Sequence, residues 1–300
     1  MTRHQNNRAT EDDYEEEHEG SENEGSDNDY EDEETEVVGR RKAVFIGINY
    51  TGTDSELSGC HNDVINLSNF LFENYPEYTE ENSIILMDTE DASPDMLPTK
   101  ENMMSAMRWL TEDAQPDDQL FFHYSGHGAS IDDEDGDEAD GMDEALCPLD
   151  YEEAGLIVDD DVHAILADSL PAGAKLLALL DCCHSGTIVD LPYLYCTESD
   201  SLKVTAASRH VKRARTTRGE VIAISGCRDD QTSADAQIDD EATGAMSYAL
   251  KRVLEENADQ ELSYADVLIK MRRVLRKGKY TQVPQLTAGR PVDMDDLFHI

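Results

Sequence analysis

Two short segments of the sequence carry a thiol and an imidazole in settings that suit nucleophilic catalysis. Cys183 lies in residues 181–186 (DCCHSG), and His127 lies in residues 125–128 (SGHG). A thiolate attacks a carbonyl carbon when an imidazole within hydrogen-bond reach moves its proton and backbone N–H groups stabilise the oxyanion. The glycines beside His127 let a substrate backbone approach closely and leave the Gly128 N–H free for the oxyanion. The pattern predicts acyl transfer from a carbonyl compound such as a peptide, with Cys183 as the nucleophile and His127 as the acid and base.

Other interpretations of these residues remain open at this point. A single cysteine is more often a small buried hydrophobic residue than a nucleophile, and a single histidine at a strand end is more often structural. His184 is a competing base, but it neighbours Cys183 in sequence and should point to a different side of the turn. Cys182, Cys183 and His184 could bind zinc, although contiguous residues leaving a strand face opposite ways and the sequence has no C-x-x-C partner. The placement of the two segments after two separate apolar runs favours catalysis.

Short apolar runs predict the strands that position these segments. The runs are residues 42–49 (KAVFIGIN), 83–87 (SIILM), 119–124 (QLFFHY), 175–180 (KLLALL) and 221–225 (VIAIS). Continuous rather than alternating apolarity is typical of strands that are covered on both faces, as in a parallel sheet. Because ligands bind beyond the carboxyl ends of such strands, the segments at 125–128 and 181–186 should meet at one edge of the sheet.

Helical patterns lie between the apolar runs. Cys60, Val64, Leu67 and Leu71 recur at helical spacing, as do Val267, Leu268, Met271, Val274 and Leu275. Thr99 is a predicted N-cap for a helix through Trp109, and Ser263 with Asp266 resembles a capping box. Alternating strands and helices predict an α/β fold, with a mainly parallel central sheet sandwiched by helices on both faces.

The charge of the chain is strongly negative, at −43 for 300 residues. Residues 1–38 hold 16 of the 67 acidic residues and almost no aliphatic side chains, so we expect a disordered acidic tail before a folded domain over residues 39–300. The acidic excess in the rest of the chain argues against nucleic acid as a partner, because phosphate selects basic surfaces. It favours cationic ligands, namely metal ions or peptides that carry Lys or Arg.

Six irregularly spaced cysteines do not form the framework of a small disulfide-rich domain, and a reducing compartment fits them best. The N-terminus lacks an apolar signal region, and no run approaches the roughly 18 apolar residues that span a bilayer. The sequence therefore predicts a cytoplasmic or nuclear protein that is not bound to membranes.

Several motifs resemble those of one family. Residues 124–128 (YSGHG) and 181–186 (DCCHSG) are similar to the two active-site signatures of metacaspases, which are cysteine peptidases of the caspase-like fold. Further similar motifs are GINY at 47–50, GCHND at 59–63, DGDEADGMDEALCPLDY at 135–151, DLPY at 190–193 and SGCRDDQTSAD at 225–235. The resemblance covers residues 41–300 and looks like the type I arrangement. It implies that His127 and Cys183 form the catalytic dyad. Two features depart from the family: Cys182 stands where Ser is common, and the tail is acidic.

A substrate pocket for basic side chains is expected beside the dyad. A guanidinium needs carboxylates at the bottom of its pocket, and Asp63, Ser125 and Asp181 all lie near the predicted crevice. The resemblance implies that these positions bind Arg or Lys before the scissile bond. For Asp63, a carboxylate at the start of a helix that merely faces the helix dipole is the alternative.

The resemblance also implies calcium binding at Asp143, Asp159, Asp160 and Asp190, where solvated surface charge is the alternative. The acid-rich stretch at 132–144 does not fit an EF-hand, because neither register places a carboxylate at the first position of the loop. The resemblance further implies a monomer, protein or peptide substrates, self-processing, and a role in programmed cell death, stress response or protein quality control.

Six basic residues gather in residues 203–218 without apolar periodicity: Lys203, Arg209, Lys212, Arg213, Arg215 and Arg218. We expect an exposed loop there that the enzyme, or a second copy, could cut. A loop that only pairs with the acidic body is the alternative. Arg40, Arg41 and Lys42 form a second candidate cleavage region. The domain is thus divided into residues 39–196 like a large subunit, a basic linker at 197–219, and residues 220–300 like a small subunit.

Two competing functions are carried forward. A peptidase of the same fold that cuts after Asn, such as a legumain-like enzyme, would share the dyad. A calcium-responsive binding or proteostasis module, with the peptidase activity secondary, is the alternative from another class.

Overall fold

Strands that are buried on both faces form the centre of the molecule. The structure is a computed structural model that describes residues 39–132, 142–182, 188–198, 201–206, 215–226, 236–238 and 241–300. These residues belong to one compact unit, Val38–Ile300. In β1 and β3, most side chains are fully buried, as continuous apolarity predicts.

The described elements follow in chain order. They are β1 Arg41–Gly47, α1 Cys60–Asn74, β2 Ser83–Met87, α2 Lys100–Thr111, β3 Gln119–Ser125, β4 Gly128–Asp132, β5 Met142–Leu146, α3 Tyr151–Ala154, β6 Ile157–Val158, α4 Asp159–His163, β7 Lys175–Asp181, β8 Tyr193–Glu198, β9 Ser201–Ala206, β10 Glu220–Ser225, β11 Ala236–Ile238, β12 Glu241–Thr243, α5 Ala245–Glu256, α6 Tyr264–Lys277 and β13 Gln285–Ala288. A π-helical turn, Ala164–Asp168, continues α4.

The main sheet has the strand order β2-β1-β3-β7-β10-β13-β8-β9. The neighbours from β2 to β10 are parallel, so all five strands predicted from the apolar runs are confirmed, as is their parallel arrangement. The last three strands extend the sheet antiparallel to one another. Ser125 pairs with Asp181, so β3 and β7 end side by side at one edge.

Helices cover both faces of this sheet, as predicted. Strand side chains alternate between two apolar clusters. On one face Val44 and Phe122 pack in a cluster with Met107 of α2; on the other Phe45 and Phe121 share a cluster with helices α1, α5 and α6. The chain therefore has a three-layer α/β architecture.

The predicted helix boundaries are confirmed by capping contacts. Thr99 accepts a hydrogen bond from Asn102 N–H at the start of α2. Ser263 and Asp266 form a reciprocal capping box at the start of α6. In the described part of the chain, no helix is both long and apolar enough to cross a membrane.

The prediction of an exposed loop over residues 203–218 is wrong for residues 203–206 and for the Arg215 side chain, whereas Arg218 is exposed as predicted. Residues 203–206 belong to β9, which pairs with β8 at the edge of the main sheet. At the other end, the side chain of Arg215 is only 13% exposed and contacts two aspartates. The sequence around Lys203 and Val204 lacks helical periodicity, and a two-sided edge strand gives only a weak signal of its own. Residues 207–214 lie outside the described part.

Candidate active site

His127 lies between β3 and β4 and is fixed by contacts to its backbone and ring. Its N–H donates to Tyr50 Oη at 3.0 Å, and its carbonyl accepts from Tyr124 Oη at 2.7 Å and from Cys147 N–H at 3.2 Å. The ring centroids of Tyr50 and His127 are 4.8 Å apart. The ring Nε2 lies 2.8 Å from the Ser55 carbonyl oxygen. These contacts hold the imidazole in one orientation.

The Ser55 contact determines which ring nitrogen of His127 carries the proton in the neutral form. A carbonyl oxygen can only accept a hydrogen bond, so Nε2 must donate. Nδ1 then holds the lone pair in the neutral ring and can accept a proton. The geometry therefore prepares His127 to act as a base through Nδ1.

Tyr50 is the central support of this arrangement. Its Oη also donates to the Cys147 carbonyl at 2.6 Å, and its ring is fully buried. Burial raises the pKa of Tyr50 far above its ordinary value, so the hydroxyl stays protonated. Its φ of 49° lies in the left-handed region, which costs energy for a non-glycine residue. The strained turn after β1 thus brings the hydroxyl to the backbone of His127.

The predicted nucleophile Cys183, like the competing base His184, lies outside the described residues. The described chain runs to Cys182, whose side chain is 2% exposed and packs in an apolar cluster. Gly126 N–H lies 3.4 Å from the Asp181 carbonyl oxygen. The two catalytic segments therefore leave adjacent strands at the same edge of the sheet, as the sequence predicted.

The Gly128 N–H points away from β5. Cys147 N–H donates to the His127 carbonyl, and Gly128 faces Leu146 in the antiparallel ladder. Bonded and non-bonded pairs alternate in such a ladder, so Gly128 occupies a non-bonded position. Its N–H therefore makes no hydrogen bond to β5.

The structure brings all three predicted pocket residues together. Asp63 is 1% exposed, and its Oδ2 accepts from Ser125 Oγ at 2.6 Å. Its Oδ1 accepts from Thr243 Oγ1 and from Gly244 N–H, both at 2.6 Å. These partners lie outside α1, so Asp63 points into the body of the protein. Its contacts differ from those of a carboxylate that only faces the start of its own helix.

Asp181 lies beside Asp63 and is held by the start of a helix. Its Oδ2 accepts from the N–H groups of Met246 at 3.0 Å and Ser247 at 2.8 Å, in the first turn of α5. These N–H groups have no partner inside the helix, and the positive end of the helix dipole favours an anion there. Asp181 is therefore the better stabilised anion of the pair.

The two buried carboxylates repel each other. Burial, and then the charge of Asp181, raise the pKa of Asp63 to about 8, although its three hydrogen bonds act in the opposite direction. One proton is thus shared by the pair near neutral pH. A buried cation that bound between them would displace this proton.

Gly244 lies against both carboxylates and was not identified from the sequence. A Cβ atom on Gly244 would lie 2.2 Å from Asp181 Oδ2 and 2.5 Å from Asp63 Oδ2. Only glycine fits at this close approach. Thr243 and Gly244 therefore lie directly against the buried Asp63 carboxylate.

A buried histidine lies next to this network. His123 is fully buried, and its Nε2 lies 3.0 Å from Ser247 Oγ. Burial lowers the pKa of His123 to about 3, so the ring is neutral. His123 therefore adds no positive charge beside this network.

The four candidate calcium ligands are neighbours in space. Asp159 is 3% exposed and accepts from Glu144 N–H at 3.1 Å and Asp160 N–H at 2.9 Å. Burial, and then the charges of Asp190 and Asp143, raise the pKa of Asp159 to about 7. Carboxylate oxygens are the donors that Ca²⁺ prefers. The donor chemistry thus fits calcium, but in the described residues no three such side chains are arranged to hold a metal ion.

Arg215 supplies a positive charge at this cluster. Its guanidinium nitrogens lie 2.7 Å from Asp160 Oδ1 and 2.5 Å from Asp190 Oδ2. Residues 203–218 could form either an exposed loop that is cut or a loop that pairs with the acidic body. At Arg215 the second interpretation holds.

Comparison with known proteins agrees with this geometry. The family model described as "Metacaspase, peptidase C14 domain" matches residues 41–192, about half of the chain. Metacaspase-1 from Schizosaccharomyces pombe is 43% identical over 298 residues, which cover 86% of this chain and 69% of that protein. The chain belongs to the metacaspase family of cysteine peptidases. Metacaspase-1 from Pyricularia oryzae is 42% identical over 306 residues. The alignment covers 89% of this metacaspase and 76% of the Pyricularia oryzae protein.

A solved structure supports the fold. The crystal structure of protein GSU0716 from Geobacter sulfurreducens superposes with a TM-score of 0.58 at 22% identity. The match covers 86% of this metacaspase and 97% of that chain. The predicted caspase-like fold is confirmed.

Proposed function

We propose that this cysteine peptidase cuts peptide bonds after Arg or Lys. The observation that carries the proposal is the pair of buried carboxylates, Asp63 and Asp181, at the same sheet edge as His127. A guanidinium or ammonium group would offset the negative charge of this pair, whereas an acidic side chain would add to it. Ser125 Oγ, now bonded to Asp63, is a further polar group at the pocket floor.

The bond is cleaved in two acyl-transfer steps in this proposal. The Cys183 thiolate attacks the carbonyl carbon, while the N–H groups of Gly128 and Cys183 stabilise the oxyanion. His127 donates a proton to the leaving amine, which leaves a thioester. Water then hydrolyses the thioester with His127 as the base. The Nε2 contact with Ser55 supports this role because it directs the basic lone pair to Nδ1.

Substrate profiling tests the specificity. We expect fluorogenic peptides ending in Arg or Lys to be cleaved at least a hundredfold faster, in kcat/KM, than the matched Asp and Asn peptides. Cys183→Ala should abolish cleavage, and Cys182→Ala should keep most of it. Preference for Asn would support the legumain-like alternative and refute a pocket for Arg or Lys side chains. Equal residual activity of the two cysteine variants would refute the assignment of the nucleophile.

Calcium is proposed as the activating ion at Asp143, Asp159, Asp160 and Asp190. When bound, it would neutralise these neighbouring charges and order the segments that carry them. Titration calorimetry on Cys183→Ala protein is the direct test. Retained affinity after Asp159 and Asp160 are both changed to Asn would reject this site.

The remaining parts of the proposal rest on the composition of the sequence and on the family. They are self-processing at residues 40–42 or 203–218, a monomeric state, a cytoplasmic or nuclear location, and a role in programmed cell death, stress response or protein quality control. Mapping of new N-termini by mass spectrometry, with and without calcium, tests the first of these.

A further inference from the structure

Arg215 makes two ion pairs with aspartates that are proposed to bind calcium. One guanidinium nitrogen contacts Asp190, whose side chain is 6% exposed, and another contacts Asp160, whose side chain is 46% exposed. Exposed ion pairs contribute little because water screens them, so the contact to buried Asp190 is the stronger of the two. The guanidinium thus neutralises a region where Asp159, Asp160 and Asp190 concentrate negative charge.

The ion pair between Arg215 and Asp190 joins two segments whose backbones are each held in place. Two residues further along the chain, Thr217 N–H donates to the Gly289 carbonyl, and Thr217 Oγ1 donates to the Gly219 carbonyl. On the other side of the contact, Asp190 has a φ of 47°, in the left-handed region. A non-glycine residue is held there only when its surroundings define the conformation. The contact therefore joins two constrained parts of the backbone.

The same carboxylate oxygens cannot serve the guanidinium and a calcium ion together. Calcium needs six to eight oxygen ligands at about 2.3–2.6 Å, and a positive guanidinium within 3 Å of those oxygens would both repel the ion and block its approach. Binding of the cation and docking of Arg215 therefore oppose each other. By linkage, each weakens the other by the same factor.

We propose that Arg215 is an internal counterion that competes with a divalent cation for Asp160 and Asp190. Cation binding releases the Arg215 side chain, and the docked arginine sets the calcium concentration at which the site fills. This inference rests on the proposed calcium site and adds to it a residue that opposes binding.

Calorimetric titration of calcium into full-length Cys183→Ala protein tests the competition. We expect Arg215→Gln to bind calcium about tenfold more tightly, which corresponds to about 1.4 kcal/mol. The matched control is Arg218→Gln, which removes the same charge from an exposed side chain in the same segment, and its affinity should stay within about twofold of the parent.

A second measurement covers the case in which Arg215→Gln folds poorly. Arg215→Lys keeps the charge but loses the planar pair of nitrogens, and we expect it to bind calcium about threefold more tightly than the parent. Thermal unfolding without calcium should show a lower midpoint for Arg215→Gln, and saturating calcium should remove most of that difference.

The outcomes separate this inference from the proposed function. Calcium binding with equal affinity in the parent and Arg215→Gln would overturn the competition and leave the calcium site intact. Equal tightening by Arg218→Gln would show a general charge effect and would also overturn it. If neither the parent nor any variant binds calcium, the proposed calcium site fails and the competition fails with it.

Discussion

The shared proton between Asp63 and Asp181 makes a stability prediction that can be worked out in detail. The pKa of Asp63 is raised from 3.8 to about 8 in the folded protein. Between these values, the folded state holds one proton that the unfolded state has lost. Stability from this source is fully present below about pH 3.8 and is lost as the pH rises through about 8. The free energy of unfolding should therefore fall by about 1.4 kcal/mol per pH unit from this pair alone.

Asp63→Asn removes that proton linkage. In the variant, the amide at position 63 carries no titratable proton, and Asp181 keeps its two N–H donors from α5. Relative to the parent, we expect the variant's free energy of unfolding to gain about 1.4 kcal/mol per pH unit between pH 5 and 7, or about 3 kcal/mol in total. The absolute offset depends on how the new amide fits Ser125 and Thr243, so the slope is the quantity to compare.

Urea unfolding followed by circular dichroism at pH 5, 6 and 7 measures the slope, with Cys183→Ala as the parent to prevent self-cleavage. Glu73→Gln is the matched control, because it removes one exposed carboxylate from the same helix. Its curve should run parallel to that of the parent. If the Asp63→Asn curve is parallel to the parent as well, the two carboxylates do not share a proton and the argument for a charged pocket floor loses its basis.

Two further predictions concern residues that position the site. Gly244→Ala should raise KM for Arg peptides at least tenfold and lower the unfolding midpoint, because its Cβ would lie 2.2 Å from Asp181 Oδ2; unchanged steady-state kinetics would show that the segment moves away at no cost. Tyr50→Phe should lower kcat about tenfold with little change in KM, because His127 N–H and the Cys147 carbonyl lose their common partner; an unchanged kcat would mean that His127 is held without this hydroxyl.

The parallel core of the fold could be predicted from the sequence because its strands are continuous apolar runs. Residues 83–87 were predicted without error as β2, and residues 175–180 fall one residue short of the end of β7. The antiparallel strands β8 and β9 were missed. Strands at the edge of a sheet need only one covered face and tolerate polar residues. Lys203 and Thr205 therefore interrupt the apolar pattern from which β9 could have been predicted.

The pocket could be predicted in part. Asp63, Ser125 and Asp181 were identified because each follows or adjoins a strand end, where parallel sheets bind ligands. The sequence does not predict a role for Gly244 or for Tyr50, although Tyr50 ends the GINY motif at residues 47–50. Their importance depends on distances between residues far apart in sequence, such as the 181 positions between Asp63 and Gly244. No local pattern encodes such a distance.

The position of β13 in the sheet has a consequence for the order in which the protein can be assembled. β13 lies near the end of the chain, yet it separates β10 from β8 in the sheet. Until residues 285–288 are available, the hairpin of β8 and β9 has no neighbour through which to join the five parallel strands. A ribosome that has released the catalytic segments has therefore not yet released the strand that joins the two parts of the sheet, and the sheet can be completed only after residues 285–288 have emerged.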